Sequence, residues 1–328
     1  MRTMLISQKS RGMTLVELMI ALVLSLLVMG GAVSIFMGSK ETFKLEEDLS
    51  RVQENFRYIA DRLTKDVSVV GHSGCVLPYR DNSSTVNNRI SGSGSVRDVI
   101  SGTEGGDPTT PDALTLSYAL TGTGADVVGG GSDQSSPINI STSTYLYSAL
   151  ADNFSKSEGD RVPVTLLVGN CDHGDLFVVT KIDTATPVPD GEAALYHETG
   201  VTVGGISNDD SLFTVPYGDI NLSASKIFYV EDVTYEICTV GSETGLCVTR
   251  GGGNRELLMS DITNIQVKYG VDSDTLEDGN ADSYVDWSPG LLNADITSIK
   301  VTLTMVLNQV SEKVYTFTIK MRNMGLDV

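Results

Sequence analysis

Between Met13 and Met37 the chain reads MTLVELMIALVLSLLVMGGAVSIFM, with Glu17 as its one charge and no proline. Few folds accept such a run. About 20 residues of this kind, wound into a helix, span the ~30 Å hydrocarbon layer of a bilayer. Arg2, Lys9 and Arg11 precede it, a bias that holds the first residues in the cytoplasm and sends the rest outward. A cleavable signal peptide fits worse, because Gly38-Ser39-Lys40-Glu41 follows with no small-residue cleavage site. Glu17 is the anomaly. A carboxylate within an apolar helix costs roughly 2.5–3.5 kcal/mol on insertion scales and calls for a partner or a purpose. The plain reading is a capping box, Thr14-x-x-Glu17, which satisfies free amides of the first turn. Gly30-Gly31 interrupts the run where each glycine weakens a helix by ~1 kcal/mol, either for flexibility or for close helix packing.

The wider stretch permits a sharper reading. A short basic leader, then Gly12 followed by Met13-Thr14-Leu15-Val16-Glu17-Leu18, resembles the class III signal of type IV prepilins and pseudopilins. The resemblance implies that prepilin peptidase cuts after Gly12 and methylates the new N-terminus at Met13. It also implies that Glu17, five residues into the mature chain, pairs with an N-terminal amine during filament assembly. The family usually carries Phe where this chain has Met13, a position that accepts other apolar residues.

Beyond the apolar run the helix is expected to continue. Leu45, Leu49, Val52, Phe56, Ile59, Leu63 and Val67 recur at spacings of four and three, which marks one face of an amphipathic helix. Lys44, Glu46, Glu47, Asp48, Arg51, Glu54, Arg57, Asp61, Arg62 and Lys65 occupy the other face. A continuous helix from Thr14 to Val67 would run ~80 Å at 1.5 Å per residue. The apolar stripe is too short for a durable coiled coil, and packing on the chain's own sheet is the economical reading. His72-Ser73-Gly74-Cys75 is the expected stop. From Arg80 to about Asp160 the chain is rich in Ser, Gly, Thr, Asn and Asp, the composition of loops and turns. Strands are expected within it at Ala113–Leu120 and Ile138–Leu146.

From Pro163 onward strands dominate, at Val164–Val168, Leu176–Ile182, Ala193–His197, Leu212–Val215, Lys226–Cys238, Leu246–Thr249 and Leu257–Tyr269. Ile299 to Leu307 and Tyr315 to Met321 alternate with period two, and the link Asn308–Glu312 makes them an antiparallel hairpin. The expected class is therefore α+β, a long N-terminal helix on an antiparallel sheet with long Ser/Gly-rich loops. Its expected parts are a leader 1–12, a membrane or filament-core helix 13–37, its amphipathic continuation 38–70, and a β-rich exported domain 71–328. Asn170-Cys-Asp-His-Gly-Asp-Leu-Phe-Val-Val-Thr180, Val267-Lys-Tyr-Gly-Val-Asp272 and the closing Lys320-Met-Arg-Asn323 narrow the likeness. They resemble the PilW family of minor pilins. That resemblance implies a low-abundance subunit that primes type IV pilus assembly in a tip complex. Its implied partners are the other minor pilins, the major pilin and prepilin peptidase. Its implied locations are the inner membrane before assembly and the pilus afterwards.

The chain of 328 residues is 41% hydrophobic, enough for a sizeable core, and carries a formal net charge of −19. Loss of a leader holding three basic residues and no acid takes the side-chain charge to −22. Such a surface repels nucleic-acid phosphates, so no nucleic-acid partner is expected. The four cysteines, Cys75, Cys171, Cys238 and Cys247, all lie beyond the apolar run. An even number in an exported domain points to disulfides, with three possible pairings. The turn-rich loop between Cys238 and Cys247 favours that pair, leaving Cys75 with Cys171. A cysteine–histidine metal site is the rival, which neither CxxC spacing nor the scattered His72, His173 and His197 supports.

No catalytic constellation is found: no G-x-S-x-G elbow, no H-E-x-x-H and no P-loop, so neither enzymatic activity nor a small-molecule substrate is expected. Arg250 followed by three glycines reads as a hairpin turn. Asp272, Asp274, Asp278, Asn280 and Asp282 form an acidic run bent by Gly279 that could supply calcium with oxygen ligands. It departs from an EF-hand, with Ser283 and Pro289 where glycine and glutamate belong, and a solvated acidic turn is the plain alternative. No other cofactor is expected. A type II secretion pseudopilin shares the N-terminal logic, and a signal-anchored adhesin or enzyme is a more distant rival.

Overall fold

A computed structural model describes residues 13–72, 86–91, 99–131, 133–170, 172–185, 187–209, 212–219, 224–251, 253–272, 280–288, 291, 296–307 and 311–321. The chain divides into two compact units, Met1–Arg57 and Tyr58–Val328. The architecture is α+β and pilin-like: a long N-terminal helix followed by a domain rich in antiparallel sheet.

One helix, α1, runs unbroken through Leu15–Val69. Thr14 opens it. Its Oγ1 accepts a hydrogen bond from the Glu17 amide at 3.3 Å, and its carbonyl accepts from the Leu18 amide at 3.2 Å. The helix ends at Val69, between the expected Val67 and the expected stop at His72–Cys75. Gly71 adopts φ 72°, a left-handed conformation that costs glycine least, and the His72 amide returns to the Val69 carbonyl at 3.0 Å. In the second unit, Ile59, Leu63 and Val67 of the stripe read from spacing are fully buried, and so is Val70 just past the helix end.

The sheet is organised around Lys226–Val240, which pairs antiparallel with Ala113–Ala119, Ala125–Gly130, Thr165–Gly169 and Glu243–Arg250. Thr165–Gly169 continues to Gly174–Val178, on whose far side Val86–Asn88 adds a parallel strand. A second sheet of four antiparallel strands runs in the order Ser283–Val285, Ile262–Val271, Ile296–Leu307, Ser311–Lys320. Asp112 stitches the two sheets. Its amide donates to the Ile265 carbonyl at 2.9 Å, and its carboxylate accepts from the Val267 amide at 2.8 Å. One core lies beneath Leu166, Val168, Phe177, Ile227, Phe213 and Tyr217.

Four expectations change. Leu176–Ile182 is two strands, Gly174–Val178 and Lys181–Asp183. The segment Ile138–Leu146 is strand only over Ile138–Ser141; a second helix, α2 (Tyr145–Phe154), follows. Thr144 caps it by accepting from the Tyr147 amide at 3.2 Å, and Leu146 and Leu150 bury one face. Leu257–Tyr269 is two strands, divided at Asp261, whose φ of 67° breaks the ladder. Leu212–Val215 forms no strand. Its Thr214 amide donates instead to the buried Asp175 carboxylate at 2.7 Å.

Candidate functional site

The first turns of α1 form the candidate site. Met13 is 64% exposed, and Leu15, Val16, Leu18, Met19 and Ile20 beyond it are all exposed apolar side chains. None of the most apolar window of this helix is buried, and by length and composition the helix can cross a membrane. The polar side chains beyond the first turn satisfy themselves on the helix: Ser25 Oγ donates to the Leu22 carbonyl at 2.8 Å and Thr42 Oγ1 to Gly38 at 3.0 Å. The glycine question also sharpens. A Cβ placed at Gly30, Gly31 or Gly38 would meet nothing within 4 Å, so the fold itself supplies no packing reason for them.

Glu17 lies in the first turn, where the exposed amides and the helix dipole favour a negative charge. Only the threonine half of the capping box forms among the described residues. The Glu17 carboxylate is exposed and has no described hydrogen-bond or ion-pair partner. An apolar helix that ends in an unpaired, acceptor-only carboxylate can take an ammonium group, and once the surroundings are desolvated that pair becomes strong. Gly12, on the other side of the expected cleavage point, lies outside the described residues.

The remaining predicted site residues divide. Cys238 and Cys247 form a disulfide with Cα atoms 5.8 Å apart, across the hairpin of Lys226–Val240 and Glu243–Arg250. Cys75 and Cys171 lie outside the described residues. So do Asp274 and Asp278 of the acidic run, whereas Asp272, Asn280 and Asp282 are described. Among the described residues, no group of three His, Cys, Asp or Glu side chains has metal-binding proximity.

Two buried polar clusters escaped the sequence reading. Asp66, near the end of α1, accepts hydrogen bonds from Arg250 Nη2 at 2.7 Å, from the Tyr235 hydroxyl, and from the Tyr118 hydroxyl at 3.3 Å. Burial, reinforced by the charge of Asp66, pushes the Tyr118 hydroxyl up to about 12. A signal existed: Asp66 stands three residues after Leu63 and seven after Ile59, on the apolar stripe. Asp175, fully buried, accepts from Arg89 Nε at 2.8 Å, from the Tyr217 hydroxyl at 2.8 Å and from the Thr214 amide. Both clusters close on groups of the fold, which marks them as structural pins.

Residues 7–33, which run into the first turns of α1, match the prokaryotic N-terminal methylation motif. No curated protein and no solved structure matches the chain. The matched residues include the Gly12–Met13 junction, Glu17 and most of the apolar run, as far as Val33. Motif and helix together support a type IV pilin-like protein: the chain carries a prokaryotic N-terminal methylation motif on a helix long and apolar enough to cross a membrane.

Proposed function

We propose that this chain is a minor pilin of the PilW kind, a subunit that helps initiate type IV pilus assembly within a tip complex of minor pilins. The observation that carries the reading is a methylation motif on a helix whose apolar surface its own fold leaves uncovered. Prepilin peptidase would cut between Gly12 and Met13 and methylate the Met13 amine. The helix would hold the subunit in the inner membrane, with the β-rich domain on the periplasmic side. It would then move into the filament core, where neighbouring pilin helices cover the side chains now exposed. Removal of apolar surface from solvent or lipid is favourable but undirected, so the Glu17 carboxylate would set the register by pairing with a neighbour's N-terminal amine or its own.

The assignment within the pilin-like proteins is supported by the sequence around Asn170. There the Asn170 side chain accepts from the amides of Asp172 and His173 at 3.0 and 2.7 Å, and so shapes the turn into Gly174–Val178. The acidic composition argues against a nucleic-acid partner, and the subunit would work by assembly, without catalysis or a small-molecule substrate. Deleting the gene tests the reading. A minor pilin is required for surface pili and twitching motility, and a plasmid copy restores them. Intact piliation with blocked release of exported enzymes would assign the chain to a type II secretion pseudopilus instead.

A further inference from the structure

Among the described residues of α1, Asp66 is the one charged side chain that is buried. Its buried neighbours Ile59, Leu63, Val67 and Val70 are apolar, so the carboxylate interrupts a surface that would otherwise be uniform. Its bonds reach three neighbouring strands. It accepts from the Tyr118 hydroxyl of Ala113–Ala119 at 3.3 Å, from the Tyr235 hydroxyl of Lys226–Val240, and from Arg250 Nη2 of Glu243–Arg250 at 2.7 Å. Arg250 Nη1 ties the group together, donating to the Tyr118 hydroxyl at 3.1 Å and to Glu231 at 3.3 Å. Arg62, one turn earlier on the helix, stands 4.0 Å from the same carboxylate.

We infer that Asp66 is a positioning residue: it selects one register of α1 on the sheet against others that the apolar stripe alone would accept. Apolar burial is undirected, and a stripe that recurs every three or four residues also recurs every seven. Slid by seven residues, α1 would bring Val52, Phe56, Ala60 and Leu63 to the places of Ile59, Leu63, Val67 and Val70, a displacement of about 10 Å. Every incoming residue is apolar. That register offers no carboxylate, because Ile59 would take the place of Asp66. Two buried tyrosine hydroxyls would lose their acceptor, and Arg250 would lose its nearest anion. Slid by four residues instead, α1 would set Arg62 against Arg250, like charge on like.

One buried polar contact is enough to fix the register of a packed helix. The Ala119 amide also holds this end of the chain, donating to the His72 carbonyl at 2.9 Å, but a backbone carbonyl is present at every residue and discriminates no register. Asp66 does, since no residue three, four or seven places away from it is an acid. Register matters where α1 is the anchor, as in the pilin-like role proposed above: a domain free to slide along its anchor has no fixed place in an assembly. That consequence rests on the proposed role, whereas the register is a property of the isolated protein and stands or falls there alone.

The test uses the full chain in detergent, with nitroxide labels at Asp61, exposed on α1, and at Glu243, exposed at the end of the central hairpin. Encoded keto amino acids carry the labels, so the native cysteines are untouched. Dipolar distances between the two labels report the register. With Asp66 and Arg250 in place, one distance is expected. Asp66→Leu with Arg250→Met removes both charges together, an exchange that buried ion pairs often tolerate without loss of stability. This double variant is expected to melt cooperatively and to show a second distance, offset by up to about 10 Å. Asp66→Asn, whose side-chain oxygen still accepts from the tyrosines, keeps the single distance. A double variant that shows only the native distance overturns the proposal, because the apolar stripe then fixes the register unaided. If the double variant does not melt cooperatively, Asp66→Leu alone is read in its place. There a single native distance overturns the proposal, and so does failure to fold, which would make the cluster a requirement of folding itself.

Discussion

Glu17 is the residue whose presence the fold does least to explain. The helix start is already capped by Thr14, and the carboxylate has no described partner, so its removal leaves the isolated subunit intact. Glu17→Ala is therefore expected to leave cleavage and domain stability unchanged. It should reduce incorporation into filaments by an order of magnitude or more, the scale of one charge-assisted hydrogen bond worth ~1.5–3 kcal/mol. Immunoblots of sheared pili against whole cells check this, and normal incorporation with failed cleavage would contradict it. Asp66 shows the opposite case. Arg250→Met takes the nearer cation from this buried carboxylate and leaves it only Arg62, at 4.0 Å, a loss of about 2–3 kcal/mol allowing for the partial exposure of Arg250, readable as a lower urea midpoint. His197 gives the pH dependence. Its ring stacks on Phe213 with centroids 3.8 Å apart, and burial holds its pKa below the ordinary 6.5. Between that lowered value and 6.5 the unfolded chain binds a proton that the folded one refuses, so stability rises with pH through this window and levels off above it. Melting temperatures from pH 5 to 8 should follow that slope, and His197→Phe should flatten it.

At the scale of elements, the Cys238–Cys247 bridge closes a loop with a sequence separation of 9 near the tip of the central hairpin. Replacing both cysteines by serine is expected to cost about 2–3 kcal/mol on loop-closure grounds, and melting of the double variant checks it. The sequence read the long elements well because their periodicities are sustained. The stripe from Ile59 to Val67 and the alternation from Ile299 to Ile319 each repeat often enough to fix a period. Short elements failed where one residue changes the backbone. Ile138–Leu146 has no period long enough to separate a strand from a helix start, and Thr144 decides it by capping Tyr147. Asp261 turns left-handed in the middle of an apolar run, a choice set by Thr244 and Val306, which bond its amide and carbonyl from two other strands. Leu212–Val215 is claimed by Asp175, a residue distant in sequence. Those partners are tertiary, and no local window contains them.

At the scale of the whole molecule the chain combines an acidic β-rich domain with a helix made for an apolar environment. The N-terminal site was legible before any fold was known, because leader, Gly12, Met13, Glu17 and the apolar run are contiguous and local. The buried carboxylates were not, since their partners come from strands far along the chain. The uncovered helix and the processing signal together carry the pilin-like account, and they make one measurement decisive. Intact mass and N-terminal sequencing of the protein from native cells, with and without prepilin peptidase, read the junction directly. The account predicts a chain beginning at methylated Met13 only when the peptidase is present, and an uncut chain beginning at Met1 when it is absent. A chain that begins at Met1 in both, or that is cut beyond Met37, would contradict it and return the signal-anchored reading to first place.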